Sequence, residues 1–290
     1  MFAVTGITGN VGSVVARMLL AEREDVRAIV RSGAKSTEWE EQGCETFVAD
    51  IRDQHALAKA YSGMRGAFVM LPMCTLEDDD GFNLNDVVDS IHYALREGKP
   101  ERVVCLSTLQ SLVDKSASSN AFSYLESKLG TLPMPLAFVR SAWYVENSAR
   151  EVAEACETGV LRSFLYPLDR AVPMIATADV GRVIAQTLCE TWSGKRTIEV
   201  VGPAQVSPNE LAKVLGWVLG REINAEAVPR ERWEQIFSAK TQSTNLYIQM
   251  LDALNAGSAH REVAGIDRRT GHIHPEVVLN DLVARALTWP

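Results

Sequence analysis

The stretch TGITGNVG places glycines at positions 6, 9 and 12, at the junction between an apolar run (FAVTG) and a segment with apolar residues three and four apart (VGSVVARMLLAE). That context predicts strand, turn and helix. Gly6 then permits the tight turn, Gly9 lets the backbone approach a pyrophosphate, and Gly12 allows helix to pack closely on strand. The free N–H groups and positive dipole end of the helix complete an anion site. The chemistry implied is dinucleotide binding. Which dinucleotide is decided at the end of the second strand, where an acid would hold ribose hydroxyls and a base would suit an extra phosphate. AIVRSGAK puts Arg31 there, with Lys35 one turn further on and no acid beside them. NADP(H) is therefore expected over NAD(H). Asp50 ends the third strand, in VADIRD, where it could face an adenine, cap the following helix, or do both.

The elements that must position these residues alternate through the first half. VRAIVR, CETFVAD, AFVML and RVVCLST read as strands, separated by helical patterns through STEWEEQG, HALAKAYSG and LNDVVDSIHYALREG. Such alternation predicts an α/β fold, a doubly wound parallel Rossmann sheet, and its near-continuous apolar strands suit burial on both faces. Further on, LAFVRSAWY reads as a sixth strand and TIEVVG as a later one. TADVGRVIAQTLCE reads as a helix capped by Thr177 or a near neighbour, followed by helices around PNELAKVLGWVLG, RERWEQIFSA and PEVVLNDLVARALTW. The expected organisation is a dinucleotide-binding domain over 1–142, with segments near 176–202 returning to it. A smaller, mostly helical substrate lobe is expected over 143–290.

Bulk properties narrow the function classes. A net charge of −8 over 290 residues argues against a nucleic-acid binder, which would show a basic face. Five scattered cysteines without a C-x-x-C pair fit reduced thiols, and apolar runs such as AFVML are too short to span a bilayer. A cytoplasmic protein with no membrane contact is expected. His260, His272 and His274 cluster late in the chain, but no cysteine or carboxylate cluster accompanies them, so no metal site is assigned. The acidic run 77–81 reads as a solvated loop.

TGITGNVG resembles the T-G-x-T-G-x-x-G motif of atypical short-chain dehydrogenases. AIVRS followed by VADIRD, then VRSAWYVEN, is similar to the NmrA-like branch of that superfamily. TADVGRVIAQTL and TIEVVGPAQVSPNELAKVLGWVLGREI match the later half of that branch, so the similarity runs to about residue 240. The resemblance implies NADP(H) in a Rossmann domain and a substrate cleft beside the C-terminal lobe. Members of the branch include NADPH-dependent quinone, triphenylmethane-dye, azo-dye and phenylpropanoid reductases. Others bind the dinucleotide without turnover and act as redox-responsive regulators.

In short-chain dehydrogenases a Tyr and a Lys four residues apart share a helix face, and the Lys lowers the Tyr pKa for proton transfer. SYLESKLG offers Tyr124 and Lys128 at that spacing, with Ser107 and Thr108 ending the fifth strand. Many branch members instead build this helix around a Glu, a part that Glu126 could take with Tyr124 merely a neighbour. The candidate cofactor contacts are Gly6, Thr8, Gly9, Asn10, Val11, Gly12, Arg31, Lys35, Asp50, Ile51, Leu71 and Ser107. Trp143, Tyr144 and Asn147 follow the sixth strand at the edge where ligands of open α/β sheets collect. Trp143 reads equally as an aromatic wall for a planar substrate or as a core aromatic, and Asn147 as a residue that ties the loop to the strand.

The function expected is hydride transfer from NADPH to a small planar conjugated acceptor, quinone- or azo/dye-like. The alternative is a non-catalytic NADP(H) sensor that binds a protein partner. An epimerase is disfavoured, because the segment between Tyr124 and Arg140 is short for the extended dehydrogenases. An oligomer or a protein partner is left open.

Overall fold

The computed structural model describes residues 1–72, 83–112, 121–237, 242–257 and 265–288. The acidic run 77–81 and His260 lie outside the described residues. The first half runs β1 (Phe2–Val4), α1 (Asn10–Ala21), β2 (Val26–Val30), α2 (Ser36–Glu41), β3 (Glu45–Val48), α3 (Gln54–Tyr61), β4 (Gly66–Val69), α4 (Leu84–Gly98), β5 (Val103–Thr108), α5 (Ala121–Leu129) and β6 (Leu136–Ser141). The second half continues with β7 (Trp143–Tyr144), α6 (Ala149–Thr158), β8 (Val160–Ser163), β9 (Val172–Ile175), α7 (Thr177–Cys189), β10 (Lys195–Val201) and β11 (Gln205–Val206). Then come α8 (Pro208–Leu219), β12 (Asn224–Ala227), α9 (Trp233–Ile236), α10 (Gln242–Asn255), β13 (Asp267–Thr270) and α11 (Pro275–Thr288).

Eight strands form one sheet in the order β13-β10-β6-β5-β4-β1-β2-β3, and every neighbouring pair is parallel. The fold is a doubly wound Rossmann-type sheet. The strand order reverses between β1 and β4, which opens a crevice at their carboxyl ends. Thr5 stitches that point together, its amide and hydroxyl both donating to the Phe68 carbonyl at 3.2 and 2.8 Å.

Two apolar layers cover the sheet. One face packs on α1 and α7 through Val11, Val15, Val180 and Ile184. The other packs on α3, α4 and α5 through Leu57, Ile91 and Leu125. Beyond β6 a separate cluster, including Trp143, Val152, Leu215, Trp233, Leu251 and Leu282, forms the core of the C-terminal lobe.

The sheet has one strand more than the sequence suggested. Residues 267–270 (DRRT) are a charged, mostly exposed edge strand on β10, without the apolar pattern that marks a strand. Its Arg268 pairs with the buried Glu199 of β10 at 2.7 Å. Helix α10 was also unforeseen. Its Leu246 packs into the layer beneath α3–α5, whereas Ile248, Leu251 and Leu254 pack into the lobe, so this helix bridges the two. The helix expected around RERWEQIFSA is shorter than its pattern implied, a 3-10 turn followed by the four residues of α9.

Asp179 fixes the lobe to the sheet. Its Oδ2 accepts the amides of His272 and Ile273 at 2.9 and 2.8 Å, and its Oδ1 pairs with Arg182 at 2.9 Å. A Cβ on Gly271 would lie 2.4 Å from the same carboxylate, so the chain must be bare there.

Candidate active site

The turn after β1 is built for a ligand that meets backbone. Gly6 adopts φ +62°, a conformation that glycine takes without steric cost, and its carbonyl accepts the Gly9 amide at 2.9 Å. A Cβ on Gly12 would sit 2.2 Å from the Gly6 oxygen, so helix and turn touch main chain to main chain. A Cβ on Gly9 would meet only the Gly6 oxygen, at 3.3 Å, and otherwise project into open space. Gly9 is also the N-cap of α1 and has no side chain to satisfy the first-turn amides. The fit to a phosphate group is therefore good: an exposed, uncapped helix start reached over an exposed glycine.

Around that start, Thr8 and Asn10 are exposed, whereas Val11 is buried in the core under α1 and offers a ligand only its backbone. Arg31 and Lys35 are both exposed just beyond β2, Arg31 ahead of the turn 33–35 and Lys35 at its end. Asp50 is held by Arg52 in a two-pronged pair at 2.9 and 2.8 Å. Arg52, with a smaller contribution from the charge of Arg31, keeps its carboxyl below the usual carboxylate range. Arg31 and Asp50 thus share one electrostatic neighbourhood. The capping role considered for Asp50 belongs to Asp53, whose carboxylate accepts the His55 and Ala56 amides at the start of α3. Ile51 is half-buried, and its carbonyl accepts the Ser90 hydroxyl at 2.7 Å. Leu71 turns its side chain into the core beneath α3–α5. Its neighbour Met70 is the residue against the cradle, with its sulfur 2.7 Å from where a Gly6 Cβ would stand.

The expected alignment of Tyr124 and Lys128 on the cleft is not what the structure has. Both side chains turn onto Asp89 of α4, the phenol donating at 2.8 Å and the ammonium pairing at 2.8 Å. The hydrogen bond to Asp89 raises the Tyr124 pKa, opposite to what a proton-transferring tyrosine requires, and it raises that of Lys128 too. Residue 126, two positions along, lies on the opposite face of α5, and that face meets the sheet. Glu126 Oε1 accepts the hydroxyls of Ser107 (2.6 Å) and Ser111 (3.0 Å) and Arg140 Nε (2.9 Å), while Oε2 takes a second bond from Arg140 at 2.5 Å. Ser107 therefore spends its only proton on a carboxylate and has lone pairs alone left for a ligand. It cannot polarise a substrate carbonyl.

At the end of β6, the Ser141 hydroxyl lies within hydrogen-bonding distance of the Tyr144 hydroxyl (3.0 Å) and the Ser107 carbonyl (3.3 Å). Burial pushes the Tyr144 phenol up to about 12. Trp143 is buried in the lobe core, its ring 5.3 Å from that of Tyr247 on α10. It also lines a cavity of about 20 Å³ together with Glu151, Phe164 and Leu251. The structure places Trp143 in the core, and a space of that size holds about one water molecule. Asn147 stands half-buried in the turn 145–148, but the residue that ties this loop down is its neighbour Glu146. Glu146 Oε1 accepts the amide and hydroxyl of Thr177 at 2.8 and 2.6 Å, capping α7, whose N-cap is Ala176. Glu146 Oε2 is buried with no partner among the described residues. His272 and His274 are exposed, and no metal-binding cluster occurs among the described residues.

Glu151 escaped the sequence reading, although its signal was present. Ser148, Glu151, Val152 and Ala155 follow an i, i+3, i+4, i+7 pattern, so a carboxylate falls on the apolar stripe of α6. Glu146 had no such periodic signal, because its partner Thr177 lies 31 residues away.

The NmrA-like family matches this chain over residues 1–277. A NAD(P)H azoreductase of Xenophilus azovorans is 24% identical over 257 residues, 88% of this chain and 85% of the relative. Among solved structures, the triphenylmethane reductase of Citrobacter sp. complexed with NADP(H) superposes with a TM-score of 0.78 at 20% identity, covering 98% of this chain and 99% of the other. The NADPH-dependent quinone oxidoreductase of Escherichia coli complexed with NADPH gives 0.75 at 18% identity, covering 99% and 100%. Among the described residues no helix is long and apolar enough to cross a membrane.

Proposed function

The chain belongs to the NmrA-like family, and from that premise we propose that it is an NADPH-dependent reductase acting on a small planar conjugated acceptor, quinone- or azo/dye-like. The observation that carries the cofactor assignment is the bare start of α1 beside Arg31 and Lys35, with no acid at the end of β2. Relatives named as an azoreductase, a triphenylmethane reductase and a quinone oxidoreductase support the reaction type.

In this reading the amides over Gly9–Gly12 hold the pyrophosphate, and Arg31 with Lys35 takes the additional ribose phosphate. Asp50 and Ile51 flank the adenine end, and Ser107 accepts a hydrogen bond near the reacting end. When bound, the reduced cofactor supplies a hydride. Conjugated acceptors suit this site because a proton-donating triad is not assembled: Tyr124 and Lys128 serve Asp89, and Ser107 serves Glu126. Tyr144 and Asn147 at the end of β6 form the acceptor side, and orientation of the acceptor is the main contribution of the chain.

The test is NADPH oxidation by the purified protein with quinone, azo-dye and triarylmethane-dye acceptors, repeated for Tyr124→Phe and Lys128→Met. The proposal expects acceptor-dependent oxidation that both variants keep within about threefold, under 1 kcal/mol of barrier. Tight NADPH binding with no oxidation across the panel would point to the non-catalytic sensor and overturn it.

A further inference from the structure

Asp50 is an acid beside a site whose other charges are basic. Strands β2 and β3 run in parallel register, Val30 opposite Val48, and the Ala49 amide donates to the Val30 carbonyl at 2.9 Å. The two chains therefore leave the sheet at the same level, and Arg31 and Asp50 emerge side by side at its carboxyl edge. The next acid along, Asp53, is engaged by the His55 and Ala56 amides at the start of α3. Asp50 is thus the carboxylate that a phosphate held at Arg31 would meet.

Arg52 covers that carboxylate. Asp50 Oδ1 accepts the Arg52 amide at 2.8 Å and Nε at 2.9 Å, and Oδ2 accepts Nη2 at 2.8 Å. This is the two-pronged fit of a guanidinium on a carboxylate. Both side chains stay in contact with solvent, 57% exposed for Arg52 and 36% for Asp50, and an exposed pair of this kind adds little to folding stability. The turn has backbone bonds of its own, from the Arg52 amide to Oδ1 and from the Asp53 amide to the Asp50 carbonyl at 2.9 Å. The guanidinium is therefore dispensable to the turn, and what it changes is the charge at the edge of the site.

We propose that Arg52 is a specificity-determining residue for the dinucleotide: by neutralising Asp50, it lets the 2′-phosphate of NADPH take Arg31 without repulsion or competition from that carboxylate. This rests on the cofactor reading above and adds to it a cation that does not itself touch the phosphate. A phosphate monoester carries close to two negative charges at neutral pH. Beside a bare Asp50 it would meet a like charge, and the carboxylate would draw on Arg31 for its own counter-charge. Asp50 does lie in the field of Arg31: its carboxyl is held below the usual range by Arg52 first, with a smaller contribution from Arg31. NADH presents ribose hydroxyls instead, which donate to a carboxylate. Covering Asp50 thus favours NADPH twice, by removing a repulsion and by withholding an acceptor from NADH.

The experiment is a double-mutant cycle on binding. Fluorescence titrations give the affinities of wild type, Arg52→Gln, Asp50→Asn and the double variant for NADPH and for NADH. The readout is the ratio of the two affinities, so that changes common to both dinucleotides at the adenine end cancel. With Asp50 present, R52Q should lower the preference for NADPH about fivefold, the upper end for an exposed pair. In the Asp50→Asn background the same substitution should change it by less than about twofold. Arg52→Lys, which keeps the charge, should stay within about twofold of wild type. An equal loss in both backgrounds would make Arg52 a direct ligand of the phosphate and overturn the proposal. If wild type binds neither dinucleotide, or prefers NADH, the cofactor reading fails and the Arg52 role falls with it. If wild type prefers NADPH and R52Q keeps that preference, the Arg52 role alone is refuted.

Discussion

Two neighbouring glycines of the cradle should fail in different ways when each is replaced by alanine. At Gly9 the backbone angles, φ −92° and ψ 171°, are open to any residue, and the added methyl would meet only the Gly6 oxygen at 3.3 Å. The folding cost is that of a poorer N-cap, about 0.5–1 kcal/mol, which for a chain of this length lowers Tm by about 1–2 °C. The methyl projects into the space where a phosphate would rest on the helix start. NADPH affinity should therefore fall at least tenfold, about 1.4 kcal/mol or more. At Gly12 the methyl would sit 2.2 Å from the Gly6 oxygen and 2.6 Å from its carbonyl carbon, both main-chain atoms that cannot rotate away. The turn must withdraw by about 1 Å, at an overpacking cost of about 1–3 kcal/mol, so Gly12→Ala should lower Tm by about 2–5 °C and weaken the cofactor as well. Differential scanning calorimetry and a fluorescence titration with NADPH measure both quantities. Gly9→Ala with wild-type affinity would refute the assignment of that space to the phosphates, whatever Gly12→Ala does.

Removing Arg31 and Lys35 together as alanines should weaken NADPH by about 10–100-fold and leave NADH within about twofold, read from parallel titrations. Asp179→Ala would strand the His272 and Ile273 amides and the Arg182 guanidinium, so it should cost about 3 kcal/mol and lower Tm by about 5 °C. For Glu151 the sign of the pH effect follows from its raised pKa. The folded state holds this proton more tightly than the unfolded chain, so the stability it contributes is complete below about pH 4.5 and is lost as pH rises through about 7. Glu151→Gln should therefore gain on wild type in urea denaturation at pH 8 relative to pH 5, by no more than about 3 kcal/mol, and an equal gap at both pH values would contradict the burial of that carboxyl.

What the sequence revealed and what it hid divide along local and non-local lines. The cradle was legible because its constraints are short-range: Gly6, Gly9 and Gly12 answer to the Gly6 turn and to the first turn of α1. The parallel sheet was legible because its central strands are apolar on both faces. The helix that carries Tyr124, Glu126 and Lys128 was also found, but spacing cannot say which of its faces meets the sheet. That choice is made by Arg140, in a strand 14 residues on from Glu126, whose guanidinium lies buried and takes that carboxylate. The Glu146–Thr177 cap and the grip of Asp179 on His272 and Ile273 span 31 and more than 90 residues, and neither leaves a mark on its local pattern. In β13 the missing signal is polarity, since an edge strand pairs through its backbone whatever side chains it carries. Glu151 was the exception, a readable clue in the form of an acid in the apolar phase of a helix.

The central claim is direct hydride transfer from NADPH, and isotope transfer tests it at the bond concerned. NADPH deuterated at the reactive carbon of its nicotinamide, on each face in turn, is incubated with a triarylmethane dye, whose central carbon retains what it receives. The account predicts deuterium in the leuco dye from one of the two labelled cofactors, with NADPH used in preference to NADH. Recovery of unreacted dye and intact NADPH from a protein that binds the cofactor tightly would contradict it.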